Sequence, residues 1–96
     1  MKDQKLTPQT ESRNLTEKEE RVLVALIKNA EEIGDNGVEF FIGDVANELD
    51  LSINVVKGVC ASLYKKDMID MYHGEYYFDG EVFPSGFNYY QQFLKI

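Results

Sequence analysis

Residues 40–69, FFIGDVANELDLSINVVKGVCASLYKKDMI, decide how the chain is read. Ile42, Val45, Ala46 and Leu49 recur at helical spacing and give one apolar face, with Gly43 placed to cap the helix that carries them. Leu51 and Ser52 interrupt the pattern, and the Ser52 hydroxyl suits a free backbone N–H at the start of a second helix. Over residues 53–66, Val56, Val59, Cys60 and Leu63 form the next apolar stripe and leave the opposite face to solvent. Two helices joined by so short a break make a helix-turn-helix.

Residues 68–83, MIDMYHGEYYFDGEVF, are rich in strand formers and carry two turn dipeptides, His73-Gly74 and Asp79-Gly80. Strands 68–72 and 75–78 about His73-Gly74 give a tight hairpin. Asp79-Gly80 can instead turn 75–78 onto 81–83, and a three-stranded meander uses both turns. A helix-turn-helix followed by a hairpin is a winged helix. The expected class is α+β: a small three-helix core, a β-hairpin wing and a short C-terminal helix.

Outward from this centre, residues 1–14 are polar, lack periodicity and contain Pro8, which predicts a disordered tail ahead of one domain over 15–96. Thr16 and Glu19 form a capping box for a first helix over 17–33. Val22, Leu23, Leu26, Ile27, Ala30 and Ile33 make its core stripe, and Gly34 is its stop. A turn at 35–37 precedes a short strand, 38–42. Pro84, Ser85 and Gly86 mark a break, after which Phe87, Tyr90, Phe93 and Leu94 predict a last helix over 87–96.

Residues 15–96 resemble the winged-helix domains of MarR-like and Lrp-like bacterial transcriptional regulators. In that family a Leu, a charged pair, a Gly and two apolar residues follow the second motif helix. Here the run is Leu63-Tyr64-Lys65-Lys66-Asp67-Met68-Ile69, with Asp67 where Gly is usual. Ala46 matches the small residue of the first motif helix, and Asp50 replaces the turn Gly. The resemblance implies that strand 38–42 pairs with the wing. It also implies DNA reading by helix 53–66 and the wing 68–83, although winged helices also bind RNA or dock proteins, and fold alone does not choose. Where the family carries an Arg on the reading face, this chain has Gly58.

Ninety-six residues make one domain with a modest core. No apolar run approaches the roughly 20 residues of a membrane span, and the lack of a signal segment makes the cytoplasm the expected location. Cys60 falls on the buried stripe and cannot make an internal disulfide. The net charge is −7, unlike the basic face of most phosphate-gripping domains. It is unevenly spread. Residues 29–56 hold Glu31, Glu32, Asp35, Glu39, Asp44, Glu48 and Asp50 and no Lys or Arg.

The candidate DNA-facing set is Ser52, Asn54, Lys57, Ser62, Lys65 and Lys66, assisted by His73 at the wing tip. Asn54 suits adenine, and Lys57 suits guanine or phosphate. Lys65 and Lys66 equally offset the helix dipole. A homodimer is expected, because paired half-sites restore the affinity that one small domain lacks. The alternative is an acidic interaction module, an accessory or inhibitor protein that imitates nucleic acid and meets a basic protein surface through Asp44, Glu48 and Gly58. Aromatics also crowd the C-terminal part: nine of twelve lie between Tyr72 and Phe93. No enzyme, cofactor or metal is expected. The single His falls in the wing turn and the single Cys on the buried stripe, so neither activates the other, and Asp67, Asp70, His73 and Glu75 cross from a helix end to a strand, where alternate residues face opposite sides.

Overall fold

In the computed structural model, residues 13–33, 36–74 and 76–95 are described. The disordered tail expected over 1–14, the stop at Gly34 and the wing position of Glu75 therefore fall wholly or largely outside the described residues. Among these residues the fold is α+β, with four α-helices and a three-stranded antiparallel sheet in the order β1-β3-β2.

Helix α1, Glu17–Ile33, begins on a reciprocal cap: the Thr16 N–H donates to Glu19 Oε1 at 2.8 Å, and the Glu19 N–H to Thr16 Oγ1 at 3.1 Å. Val22, Leu23, Leu26, Ile27 and Ala30 are buried as the periodicity predicts. Ile33 is not. It is 36% exposed at the rim of the groove between α1 and the next helix, because the helix outruns the core it covers.

Strand β1 is only Glu39–Phe40, shorter than the expected 38–42, since Ile42 already belongs to α2, Ile42–Leu49. Gly43 does not cap α2 but lies inside its first turn. The N-cap is Phe41, which has no cap of its own. The Asp79 carboxylate, 37 residues away, accepts the Ile42 N–H at 2.7 Å, and Asn29 Oδ1 accepts the Phe41 N–H at 2.8 Å. Helix α2 ends at Asp50 in the left-handed region (φ 57°), a conformation that Asp tolerates better than most residues. Helix α3, Ile53–Lys65, starts at Ser52, whose Oγ accepts the Val55 N–H at 3.1 Å. Asp67, standing where the resemblance expects Gly, also takes a positive φ of 62°.

Among the described residues, neither expected hairpin turn forms. Strand β2, Ile69–Met71, pairs with β3, Gly80–Val82, through Ile69↔Val82, Asp70↔Glu81 and Met71↔Gly80, so residues 72–74 and 76–79 belong to the β2–β3 loop and Gly80 sits in a strand. Within that loop, Phe78 stacks on Phe41 (centroids 4.8 Å) and Tyr77 meets the same ring edge-on at 5.1 Å. These contacts replace the strand expected over 75–78. Gly80 also faces Phe40, a fully buried ring of the core.

The last helix starts earlier than the expected residue 87. Helix α4, Pro84–Tyr89, places Pro84 in its first turn, where a missing N–H costs nothing, and a π-helical turn follows at Tyr90–Leu94. The Ser85 hydroxyl donates to the Asp67 carbonyl. Tyr89 is buried, accepts the Leu15 N–H at 3.1 Å and donates to Glu20 Oε2 at 2.7 Å, and so clasps the C-terminal segment to α1. Tyr89, Val82, Met68 and Ile69 complete one core with α1, α2 and α3.

Candidate functional site

Helix α3 buries Val56, Cys60 and Leu63, and this fixes what its other side shows to solvent. Asn54, Lys57, Gly58, Ala61 and Lys65 are all exposed, and at 3.6 residues per turn they share one outward face. Ser52 lies at its leading end with its oxygen engaged as a cap. Ser62 flanks the face and is half-buried. Apolar groups interleave: Ile53 and Tyr64 are each 49% exposed and Val55 39%. A side chain at position 58 would meet open space, so the backbone there is accessible to anything that approaches.

Lys66 departs from the expected set. Its ammonium donates to Glu19 Oε1 at 2.9 Å and to the Asn14 carbonyl at 3.2 Å, tying the end of α3 to the start of α1. Burial opposes the Glu19 charge, but the Thr16 N–H and the Lys66 ammonium outweigh it and hold the carboxyl below its usual range. Lys57 and Lys65 make no ion pair among the described residues. His73 is exposed in the β2–β3 loop, beside Tyr72.

The acidic candidates lie elsewhere. Asp44 and Glu48 line a groove of about 340 Å³ between α1 and α2, whose walls also include Arg21 and Lys28. The buried Asn29 reaches the Asp44 carboxylate from below at 3.4 Å. Gly58 is not part of that groove, so the alternative set of Asp44, Glu48 and Gly58 is divided between two surfaces.

Sequence reasoning gave Asn29 no role and read Asp79 only as a turn residue, yet these two side chains hold β1, α2 and the β2–β3 loop together. Asn29 had a readable signal: it is an amide next to Ala30 on the inner side of α1, and a buried amide demands partners. Asp79 had none, because its cap spans 37 positions. The Cys60 thiol is pushed up to about 12, first by burial and then by the Asp79 charge, so it is held as a neutral thiol. Among the described residues, no group of three or more His, Cys, Asp or Glu side chains converges on a point where a metal ion fits, and no helix is long and apolar enough to cross a membrane.

No family model matches the chain, and no curated protein or solved structure resembles it at a significant level.

Proposed function

We propose that this chain is a winged helix-turn-helix domain that binds duplex DNA as a homodimer and acts as a cytoplasmic transcriptional regulator, without catalytic activity. In this reading α2 and α3 form the motif, the 72–79 loop is the wing, and α3 enters the major groove. One observation carries it. The 13 residues of α3 contain no carboxylate, in a chain with 17 of them, and its outward face presents Asn54, Lys57 and Lys65. The acids of the preceding helix, Asp44 and Glu48, are set in a groove they share with Arg21 and Lys28.

The magnitude is modest. Each neutralised phosphate contributes about 0.9 to the slope of log affinity against log salt. Lys57 and Lys65 therefore imply a slope of roughly −2 per protomer and roughly −4 for a dimer. Replacing Lys57 by Ala lowers affinity for every sequence and removes about 1 from the slope per protomer. Titration at several salt concentrations measures both. An unaltered slope removes Lys57 from the interface.

A second reading has its own support. Ile53 and Tyr64 leave apolar surface on one flank of that face and Val55 on the other, with the small Gly58 and Ala61 between them, and this composition suits a protein interface as well as a DNA groove. Under it the domain is an accessory or inhibitor protein whose partner offers a basic surface to a chain of charge −7.

A further inference from the structure

A separate feature lies beside the end of α3. Tyr64 of α3, Asp70 and Met71 of β2, and Tyr72, His73 and Tyr76 of the loop line an open cleft of about 460 Å³, large enough for the end of a side chain. Tyr76 is 67% and Tyr64 49% exposed, so large ring surfaces stand in water. The Tyr72 and Tyr76 rings lie 4.8 Å apart, and the Tyr72 hydroxyl donates to Glu39 at 3.1 Å, which fixes one wall.

The strand register then sets the charge. Glu39 lies opposite Glu81, and Glu81 opposite Asp70, so three carboxylates form one row on one face of the sheet. None of the three pairs with a Lys or Arg among the described residues. Directly opposed like charges weaken a sheet, and a cation placed beside them relieves that cost. Burial first, then the Glu39 hydrogen bond and the charges of Glu81, Glu39 and Asp70, push the Tyr72 phenol up to about 12. Among the described residues, no Lys or Arg lines the cleft.

We propose that this cleft receives the guanidinium or ammonium head of an Arg or Lys side chain carried by a protein partner. Aromatic faces attract such cations, Asp70 supplies a charged acceptor, and Met71 offers an apolar surface to the aliphatic stem. An anion would meet Asp70 at the end of the carboxylate row, and a purely apolar group would leave Asp70 without a counter-charge. Tyr77, 83% exposed and next along the loop, continues the surface beyond the cleft, where the backbone of a peptide would run. The proposal depends on this cleft alone and stands whether or not α3 reads DNA.

The test is a nuclear magnetic resonance titration of the full chain with a Gly/Ser heptapeptide bearing one central arginine, and with its twin bearing citrulline, which is neutral. The arginine peptide shifts the Tyr64, Met71 and Tyr76 resonances, and the citrulline peptide leaves them in place. Tyr76→Ala, at an exposed loop position, weakens the arginine peptide roughly two- to fivefold, and Asp70→Asn weakens it about tenfold. Equal shifts from both peptides overturn the proposal, as do shifts confined to the α1–α2 groove. Spermidine binding at the cleft without any response to the arginine peptide also overturns it, by making the site one for free amines.

Discussion

A methyl group added at Gly80 would run into the Asp70 carbonyl and would come within 2.7 Å of the buried Phe40 ring. Neither neighbour can move freely, since one is sheet backbone and the other is core. Gly80→Ala therefore destabilises the fold by about 2 kcal/mol, within the range for overpacked cores, and urea denaturation measures the loss. Asp50 and Asp67 make the opposite point, because both hold left-handed backbone without glycine. Charge at single residues sets the acid limit of the fold. Arg13 binds Glu20 through two hydrogen bonds of 2.6 and 2.8 Å and is the largest influence holding the Glu20 carboxyl below its usual range, with the Tyr89 hydroxyl adding to it. A carboxyl depressed by folding stabilises above its unfolded value, and that stability disappears as pH falls through the folded value. Glu19 behaves likewise. The urea midpoint of the wild type should thus fall between about pH 7 and about pH 3, and Glu20→Gln should narrow that difference. An equal drop in both proteins would show that the Arg13–Glu20–Tyr89 clasp contributes nothing in solution.

At the scale of the element, α2 is short and begins without its own cap, and Asp79 supplies one from the loop. Asp79→Ala leaves the Ile42 N–H without that acceptor and costs about 1 kcal/mol, the usual worth of an N-cap. Amide hydrogen exchange at Ile42 and Val45 rises with it, while exchange in the middle of α1 keeps its rate. The helices were legible because local rules define them. The Thr16/Glu19 box and Ser52 are caps written within four residues, and the apolar stripes of α1 and α3 repeat over several turns. The sheet was less legible. Its register depends on Gly80 sitting opposite Phe40, and the loop depends on Phe41 drawing Tyr77 and Phe78 away from a strand, so the turn dipeptides at 73–74 and 79–80 misled. The exposed positions of Asn54, Lys57 and Lys65 followed from helical period alone. The diversion of Lys66 did not, because Glu19 is 47 residues distant.

For the molecule as a whole, the issue is how a chain of charge −7 approaches a polyanion. Among the described residues most of its carboxylates lie on α1, in the α1–α2 groove and in the row across the sheet; Asp50 and Asp67 stand at the two ends of α3, and α3 itself carries none. The proposed DNA contact thus centres on the outward face of α3, which lies between Asp50 and Asp67 and carries no carboxylate of its own. Only two lysines serve it in each protomer, so dimerisation and contacts to base edges must supply most of the affinity. The measurement that bears most directly on this account is selection of the purified chain against random-sequence duplex DNA, at low salt and again near physiological salt. The account predicts that one sequence class survives the higher salt, with two half-sites spaced by about one helical turn. Absence of binding even at low salt would contradict it, and would leave the apolar part of the α3 face as a protein-docking surface.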